Sequence, residues 1–245
     1  MTSRIDRSKA LIWKNDEIIE NYRLELKTVL CCCTPEIEES YANFVQSGCI
    51  VSFVDKLNHD AGFKDTQDNW NAAENEVFLS QELKSLYTAE TTAYDTLQKH
   101  QGKILPRLLA KVTLDLEPSS AQVHSDILEH MQIKGILLQY LPGSTLSALD
   151  QHVPQPAWQD LIDEAVRIAH TLGDCNVLNS DVRPDNFMVV PAVNDKYHVF
   201  MIDLGQCRVR RADESDKEWG RAKWQQDEEG AIGMGMRQRL HKIGY

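Results

Sequence analysis

Two neighbouring runs in the second half of the chain constrain the fold most. The first, Asn179–Val190, places the carboxylate of Asp181 five positions before the amide of Asn186 and then becomes apolar. The second, His198–Gly205, is an apolar segment that leads into Asp203. The residues between the runs include Pro, Asn and Asp, so the two apolar segments are predicted to form a β-hairpin. The hairpin would bring the three polar side chains to one end of a small sheet.

Carboxylate and amide side chains in this arrangement suit phosphoryl transfer. Mg²⁺ prefers hard oxygen ligands and takes few from the protein, because phosphate and water supply the rest. Asn186 and Asp203 are the candidate metal ligands, and Asp181 is the candidate group that orients or deprotonates an attacking hydroxyl. Arg183 would be a fixed positive charge beside the transferred group. The alternative interpretation is that these are ordinary polar loop residues.

The same residues resemble two motifs of the protein kinase-like superfamily. The family's catalytic loop reads H-R-D-x-x-x-x-N and its metal loop reads D-F-G. This chain has Asn179–Asp181 with Asn186, followed by Asp203–Gly205, so the Asp, Asn, Asp and Gly match while the His, Arg and Phe do not. Within the superfamily the chain is similar to small kinase-like proteins of the fungal, aminoglycoside phosphotransferase and choline kinase types.

The resemblance implies an α+β, bilobal protein kinase-like fold. Residues 1–140 would form an N-lobe with an antiparallel sheet and a long helix at about 76–100. Residues 141–245 would form a mainly helical, truncated C-lobe. The expected C-lobe elements are a helix at about 157–172, the catalytic loop at 179–186, the metal loop at 203–205 and a short terminal helix.

Apolar and β-branched residues in the first 55 positions predict three strands, at 22–33, 41–45 and 49–54. In the resembled family, a strand lysine contacts the nucleotide phosphates, and Ser52 occupies that position here. Lys56 would lie on the same strand face, but four residues away, roughly 13 Å at strand rise. No Gly-rich phosphate loop is visible in this part of the sequence. The missing lysine predicts weak or absent turnover.

A long helical pattern follows, with one carboxylate on its apolar stripe. Leu83, Tyr87, Tyr94 and Leu97 recur at helical spacing, and Glu90 lies between them. A carboxylate on a buried face is costly unless it is paired. The resemblance implies that Glu90 pairs with the strand lysine in the nucleotide cleft. The alternative is that Glu90 lies at the edge of the stripe with its carboxylate in water.

The apolar strand at 135–140 and the linker after it resemble the hinge between kinase lobes. Gln139 to Leu141 would then present backbone groups to an adenine ring, although a plain strand-to-helix connection would look the same.

The strongest helical pattern covers Trp158–Leu172, with Gly173 as its expected stop. His170 is interpreted as structural. In the resembled family, a buried helix also precedes the catalytic loop.

After Gly205, a charged run to Lys217 takes the place of an activation segment. The string 227–234 resembles the start of the family's central C-lobe helix, and either Asp227 or Glu228 could be its first acidic residue. Because the sequence ends soon afterwards, we expect a small acceptor rather than a broad peptide groove.

The charge and cysteine content of the chain indicate which classes of partner and which compartment to expect. The net charge of −11 and a pI near 5.2 argue against nucleic acid or an anionic membrane as a partner. Six scattered cysteines without a disulfide framework and the lack of an apolar signal core favour a soluble cytoplasmic protein. The sequence therefore predicts a phosphotransferase that uses ATP and Mg²⁺ on a hydroxyl of an unidentified small-molecule or protein acceptor. The alternative is a pseudokinase that binds nucleotide or acts as a scaffold with little or no turnover.

Overall fold

The computed structural model describes residues 22–23, 35–115, 130, 132–194, 196–242 and 244. The strands are β1 (Tyr22–Arg23), β2 (Leu108–Asp115), β3 (Gln132–Gln139), β4 (Ser144–Thr145), β5 (Val177–Asn179), β6 (Phe187–Pro191), β7 (Tyr197–Met201) and β8 (Cys207–Val209). The α-helices are α1 (Pro35–Gln46), α2 (Cys49–His59), α3 (Ala72–Thr96), α4 (Leu149–His152), α5 (Trp158–Asp174), α6 (Asp216–Gln226) and α7 (Glu228–Lys242). Short 3₁₀ segments lie at Phe63–Asn69, Gln98–His100, Leu146–Ala148, Gln155–Ala157 and Pro184–Asn186.

The described residues divide into two compact units. The first holds 35–87, 111–115, 130 and 132–136. The second holds 22–23, 88–110, 137–194, 196–242 and 244. All the site residues predicted in the second half of the chain, together with Glu90, belong to the second unit.

The first unit is helical where strands were expected. The predictions of strands at 41–45 and 49–54 are wrong, because these residues lie in α1 and α2. Helix α2 starts after Gly48, whose φ of 77° is in the left-handed region that glycine adopts freely. Burial of one helical stripe outweighs the local preference of β-branched residues for strands. The stripe recurs at spacings of three and four: Ile50, Phe53 and Leu57.

An aromatic cluster holds these helices together. Phe53 is 4% exposed, and its ring lies edge-on at 5.9 Å from Phe44, 5.2 Å from Phe63 and 5.1 Å from Trp70. Trp70 in turn contacts Phe78 of α3 at 5.6 Å. Edge-to-face geometry adds to the gain from burying the rings. The 3₁₀ segment Phe63–Asn69 and Trp70 therefore pack with the helices.

The strands form three small sheets, in the orders β1-β3-β2, β4-β6-β7 and β5-β8. The β6-β7 hairpin confirms the predicted pair of strands around the turn that follows Pro191, and Phe187 lies opposite Met201. Strand β1 confirms the start of the strand predicted at 22–33, whereas residues 24–33 lie outside the described residues.

Helix α5 packs against three other elements of the second unit, α7, β7 and β5. All seven residues of its predicted apolar face are buried: Trp158, Leu161, Ile162, Ala165, Ile168, Ala169 and Leu172. The helix does not end at Gly173, because it continues to Asp174. The residue that takes a left-handed conformation after the helix is Asn176, at a φ of 60°. A Cβ added to Gly173 would lie 2.7 Å from the side chain of Lys223, so this position favours a residue without a side chain.

Gly143 lies where two backbones come close. A Cβ on this residue would lie 2.9 Å from the carbonyl carbon of Val189 and 3.1 Å from the Cα of Val190. Contacts that short involve backbone atoms that cannot rotate away. The missing side chain therefore permits the linker after β3 to reach β6, where Ser144 pairs with Val189.

The fold is thus α+β, with small antiparallel pairings and a largely helical C-terminal part, as the sequence predicted. The long helix expected at 76–100 is α3 plus a 3₁₀ turn, and the strand expected at 135–140 is β3. The division into lobes at residue 140 stays a prediction. Among the described residues, no helix combines the length and apolar character needed to cross a bilayer.

Candidate active site

Three predicted site residues meet in the loop between β5 and β6. The amide nitrogen of Asn186 donates to the backbone carbonyl of Asp181 at 2.8 Å and to its carboxylate Oδ2 at 3.2 Å. The same Oδ2 lies 3.3 Å from a guanidinium nitrogen of Arg183. The loop thus holds its carboxylate between one amide and one cation.

The side chain of Asn186 is buried, and both of its polar atoms are bonded. Its nitrogen donates to Asp181, and its oxygen is directed toward Arg183. That oxygen accepts a long hydrogen bond from Arg183 Nε at 3.4 Å. Amide oxygens are hard ligands of the kind Mg²⁺ prefers.

Asp203 lies beside this loop. The backbone N–H of Ile202 donates to the carbonyl of Asn186 at 2.9 Å, which joins the end of β7 to the catalytic loop. The carboxylate Oδ1 of Asp203 accepts from the Gly205 N–H at 3.1 Å, and this short turn fixes its direction. Among the described residues, no three His, Cys, Asp or Glu side chains form a metal cluster. A carboxylate and an amide are the kinds of oxygen ligand that a protein offers Mg²⁺ when phosphate and water supply the rest.

Asn179 is a site residue that the sequence did not reveal. It was noted only as a departure from the family's His, but it is fully buried and bonds both loops. Its oxygen accepts from the Asp181 N–H at 2.8 Å, and its nitrogen donates to the Asp203 carbonyl at 3.0 Å. The only sequence signal was its place two residues before the candidate base.

The first acidic residue of α7 is Glu228 rather than Asp227. Asp227 is exposed and takes a left-handed conformation at a φ of 45°, where it ends α6. Glu228 is 6% exposed, and its carboxylate accepts from the backbone N–H of Asn179 at 2.7 Å. Burial raises the pKa of Glu228 to about 7, against the opposing effect of this hydrogen bond and of Lys223.

Glu90 is buried, at 5% exposure, on the stripe predicted for α3. The alternative that its carboxylate extends into water is therefore wrong. Burial raises the pKa of the Cys207 thiol, and the charges of Glu228, Glu90 and Asp203 raise it further. Because these three carboxylates act on one thiol of β8, Glu90 lies in the same neighbourhood as the metal loop.

The residues proposed to contact adenine are at the end of β3 and just beyond it. The Gln139 N–H donates to the Arg107 carbonyl at 2.9 Å, and the Leu141 carbonyl accepts from Gly143 at 2.9 Å. Leu141 is buried. Adenine binding by Gln139 and Leu141 stays a prediction.

Ser52 is the one site assignment whose structural basis is wrong. It lies on helix α2 rather than on a strand, and its hydroxyl donates to the Cys49 carbonyl at 3.0 Å. Lys56 is on the same helix, with its ammonium 5.7 Å from the centre of the Phe63 ring. Neither residue occupies the strand position that the resemblance assigned to the phosphate lysine.

The segment after the metal loop is held by ion pairs. The guanidinium of Arg208 makes two hydrogen bonds to the buried Glu214 carboxylate, at 2.9 and 3.0 Å, and lies 4.9 Å from the ring centre of Trp219. Arg210 donates to the Glu214 backbone carbonyl at 2.8 Å. The Arg208 bond lowers the pKa of Glu214. Both arginines order this segment through side chains of the segment itself and of α6.

Neither a protein-family model nor a curated protein sequence matches this chain. Solved structures to which it is similar include those of Rio2 kinase, WaaP and WbdD. One is the Rio2 kinase–ADP/Mg²⁺–phosphoaspartate complex from Chaetomium thermophilum, at 13% identity and a TM-score of 0.42, covering 65% of this chain and 40% of that one. Another is WaaP in complex with acyl carrier protein, at 16% identity and a TM-score of 0.33, covering 64% and 76%.

A third is the bifunctional kinase-methyltransferase WbdD, at 21% identity and a TM-score of 0.36, covering 56% of this chain and 25% of that one. This chain therefore aligns with less than half the length of Rio2 kinase and WbdD. The assignment of function depends on the contacts of the site residues themselves.

Proposed function

We propose that this chain is a phosphotransferase that uses ATP and Mg²⁺ to phosphorylate a hydroxyl group. The observation that carries the proposal is the hydrogen-bonded set in which Asn186 holds Asp181 and the backbone joins Asn186 to the segment that bears Asp203. The set combines a positioned carboxylate, a cation and two oxygen ligands. Those are the parts that phosphoryl transfer needs, because the reaction depends on positioning and charge stabilisation.

Asp181 accepts the proton of the attacking hydroxyl in this scheme. Its Oδ2 is held by the Asn186 amide, so the carboxylate keeps one direction as the hydroxyl approaches. Arg183 is exposed at its outer end and 3.3 Å from the same oxygen, so it can also meet negative charge on the transferred group. A lysine in place of Arg183 would be a weaker substitute, because its single flexible ammonium group is less suited to contact both Asp181 and the transferred group.

Asn186 and Asp203 would hold Mg²⁺, which would neutralise phosphate charge when bound. Glu90, buried near the metal loop, would orient a cation that contacts the phosphates. Gln139 and Leu141 would contact the adenine. The acceptor class, a small molecule or a protein, is open in this proposal. The alternative, nucleotide binding without turnover, was based on Ser52 at the lysine position, and Ser52 lies on helix α2 rather than on a strand.

Titration calorimetry with ATP, with and without Mg²⁺, tests the binding part. We expect Asp203→Asn to remove the Mg²⁺-dependent part of the affinity while the far-ultraviolet circular dichroism stays unchanged. Asp185→Asn is the matched control, because Asp185 lies in the same loop and is exposed. Mg²⁺-dependent affinity that survives in a folded Asp203→Asn protein would contradict the metal assignment.

Transfer or hydrolysis of the γ-phosphate tests the chemistry. Asp181→Asn should keep the Mg²⁺-ATP affinity and lose roughly 10²- to 10⁴-fold in rate, the usual contribution of a positioned acid or base. Asp185→Asn should keep the wild-type rate. A wild-type protein that binds Mg²⁺-ATP but transfers no phosphate to water or to any hydroxyl acceptor would contradict the proposal.

A further inference from the structure

Cys175 has a basic side chain within hydrogen-bond distance. It follows helix α5, and its Sγ lies 3.4 Å from Nε2 of His100, the last residue of the 3₁₀ segment Gln98–His100. The two residues are 75 positions apart in the sequence, and both belong to the second unit. A cysteine and a histidine at this distance can share one proton, either as thiol and neutral imidazole or as thiolate and imidazolium. The thiolate is the form that reacts.

The backbones that carry the pair are both closed by hydrogen bonds. The N–H of Cys175 donates to the Thr171 carbonyl at 3.1 Å, which completes the last turn of α5. The carbonyl of His100 accepts from the N–H groups of Lys103 and Ile104, at 3.2 and 3.1 Å. Both Cys175 and His100 are half-buried, so their backbones are fixed while a small reagent can still reach the sulfur.

The other described cysteines lie in different surroundings. Cys49 is exposed at the start of α2, and Cys207 is buried on β8. Burial raises the pKa of the Cys207 thiol, which keeps that thiol protonated. Among the residues that the structure describes, only Cys175 has a histidine within hydrogen-bond distance of its sulfur. Partial exposure and a nearby base are the conditions under which a cysteine becomes a nucleophile.

Cys175 and Cys207 are too far apart to form a disulfide. Cys175 precedes β5, whereas the pairing of β5 with β8 places Cys207 opposite Asn179, at the far end of that strand. Three residues at strand rise cover roughly 10 Å, and the Cα atoms of a disulfide lie within about 7 Å of each other. Oxidation of Cys175 would therefore attach a second molecule rather than join these two strands.

The turn that carries His100 is basic. Lys99 and Lys103 flank His100 in the sequence, and both are exposed. Exposed ammonium groups attract carboxylates and raise the local concentration of an anionic reagent. Glutathione disulfide is a small reagent of this kind, because it bears carboxylates on both halves around a central S–S bond. The charge beside His100 therefore favours an anionic disulfide over a neutral one.

The acidic residue next to Cys175 is itself engaged with cations. One carboxylate oxygen of Asp174 lies 3.4 Å from Nε2 of His170, and the other lies 3.8 Å from the ammonium of Lys223. The hydrogen bond with Glu229 and the charge of Asp174 raise the pKa of His170, which favours its charged form. The negative charge of Asp174 is thus partly neutralised and opposes an anionic reagent only weakly.

We propose that Cys175 is a thiol-modification site in which His100 acts as the base and whose reagent is a small anionic disulfide. The thiolate of Cys175 attacks one sulfur of the disulfide, whose S–S bond breaks while a new S–S bond forms to Cys175. The leaving sulfur keeps the electron pair of the broken bond and takes the proton that His100 received. Cys175 is oxidised and the leaving half is reduced. The inference does not depend on phosphotransfer.

The rates at which single cysteines of the wild type are modified give the first test. The full chain is mixed with glutathione disulfide at neutral pH, the reaction is stopped with acid, and peptide mass spectrometry follows each cysteine separately. Cys175 should react at least about twice as fast as Cys49 although it is less exposed, because the histidine increases the thiolate fraction. A faster reaction at Cys49 would overturn the proposal without any variant.

His100→Asn tests the base, since asparagine is polar and cannot take up the proton. An unassisted thiol is only a few per cent ionised at neutral pH, so the rate at Cys175 should fall by roughly 5- to 30-fold. The rate at Cys49 in the same samples is the control and should not change. An unchanged rate at Cys175 in folded His100→Asn protein would contradict the role of His100. Should this variant fail to fold, the order of the two cysteines in the wild type decides.

The double variant Lys99→Gln/Lys103→Gln tests the class of reagent. With glutathione disulfide at low salt, the rate at Cys175 should fall by roughly 2- to 5-fold, because the attraction of the anion is lost. With hydroxyethyl disulfide, which is neutral, the rate at Cys175 should stay as in the wild type. Equal rates of the wild type and the double variant with glutathione disulfide would overturn the preference for an anion, and so would an equal loss with both reagents.

Discussion

The aromatic cluster of the first unit and the hydrogen-bonded loops of the second unit are stabilised by different forces. In the cluster, Phe53 gains from burial and ring contacts that change little with small shifts of its neighbours. In the loops, Asn179 and Asn186 make directional bonds between polar groups. Packing of the first kind determines how stable a region is, whereas bonding of the second kind determines where a few atoms lie.

Phe53→Ala should produce the largest change and should affect stability. The ring is 4% exposed and contacts three other aromatic rings, so its loss should cost about 3–5 kcal/mol of unfolding free energy. Urea denaturation followed by circular dichroism measures this cost. Val51→Ala on the same helix is the control, because Val51 is 53% exposed and its loss should cost less than about 0.5 kcal/mol. Equal costs for the two variants would mean that the cluster does not stabilise the unit.

Ser215→Ala should give the smallest change. Ser215 is the only Ser or Thr between Gln206 and Trp219, and it caps α6 through a reciprocal pair of bonds with Glu218. Its loss should cost about 1 kcal/mol in urea denaturation. The segment is already ordered by Arg208 and Glu214, so Ser215→Glu should not raise the phosphotransfer rate. A large increase would show that this segment is regulated by phosphorylation.

Elements encoded by short-range spacing could be predicted from the sequence. The apolar face of α5 recurs at helical spacing, and the β6-β7 hairpin has turn residues between two apolar segments. The place of Glu90 on an apolar stripe left burial and an exposed carboxylate both open, and the structure shows that it is buried. Each of these patterns is complete within a few turns or strands, so no distant contact was needed to interpret it.

Elements that depend on distant partners could not be predicted. Asn179 bonds residues 24 and 49 positions away, and nothing near it in the sequence identifies Asp203 or Glu228 as its partners. The strand prediction at 49–54 failed for a related reason. The β-branched pair Ile50-Val51 suggested a strand locally, whereas Phe53 is held on its helix by rings from other segments.

The close approach at Gly143 has a consequence for how this gene can vary. Every missense change in that codon adds a Cβ, and the backbone of Val189 and Val190 occupies the space that it would need. The codon of Asp150, an exposed residue of α4, faces no such restriction. In a saturation-mutagenesis library selected for folded protein, codon 143 should retain only synonymous changes, while codon 150 tolerates many replacements.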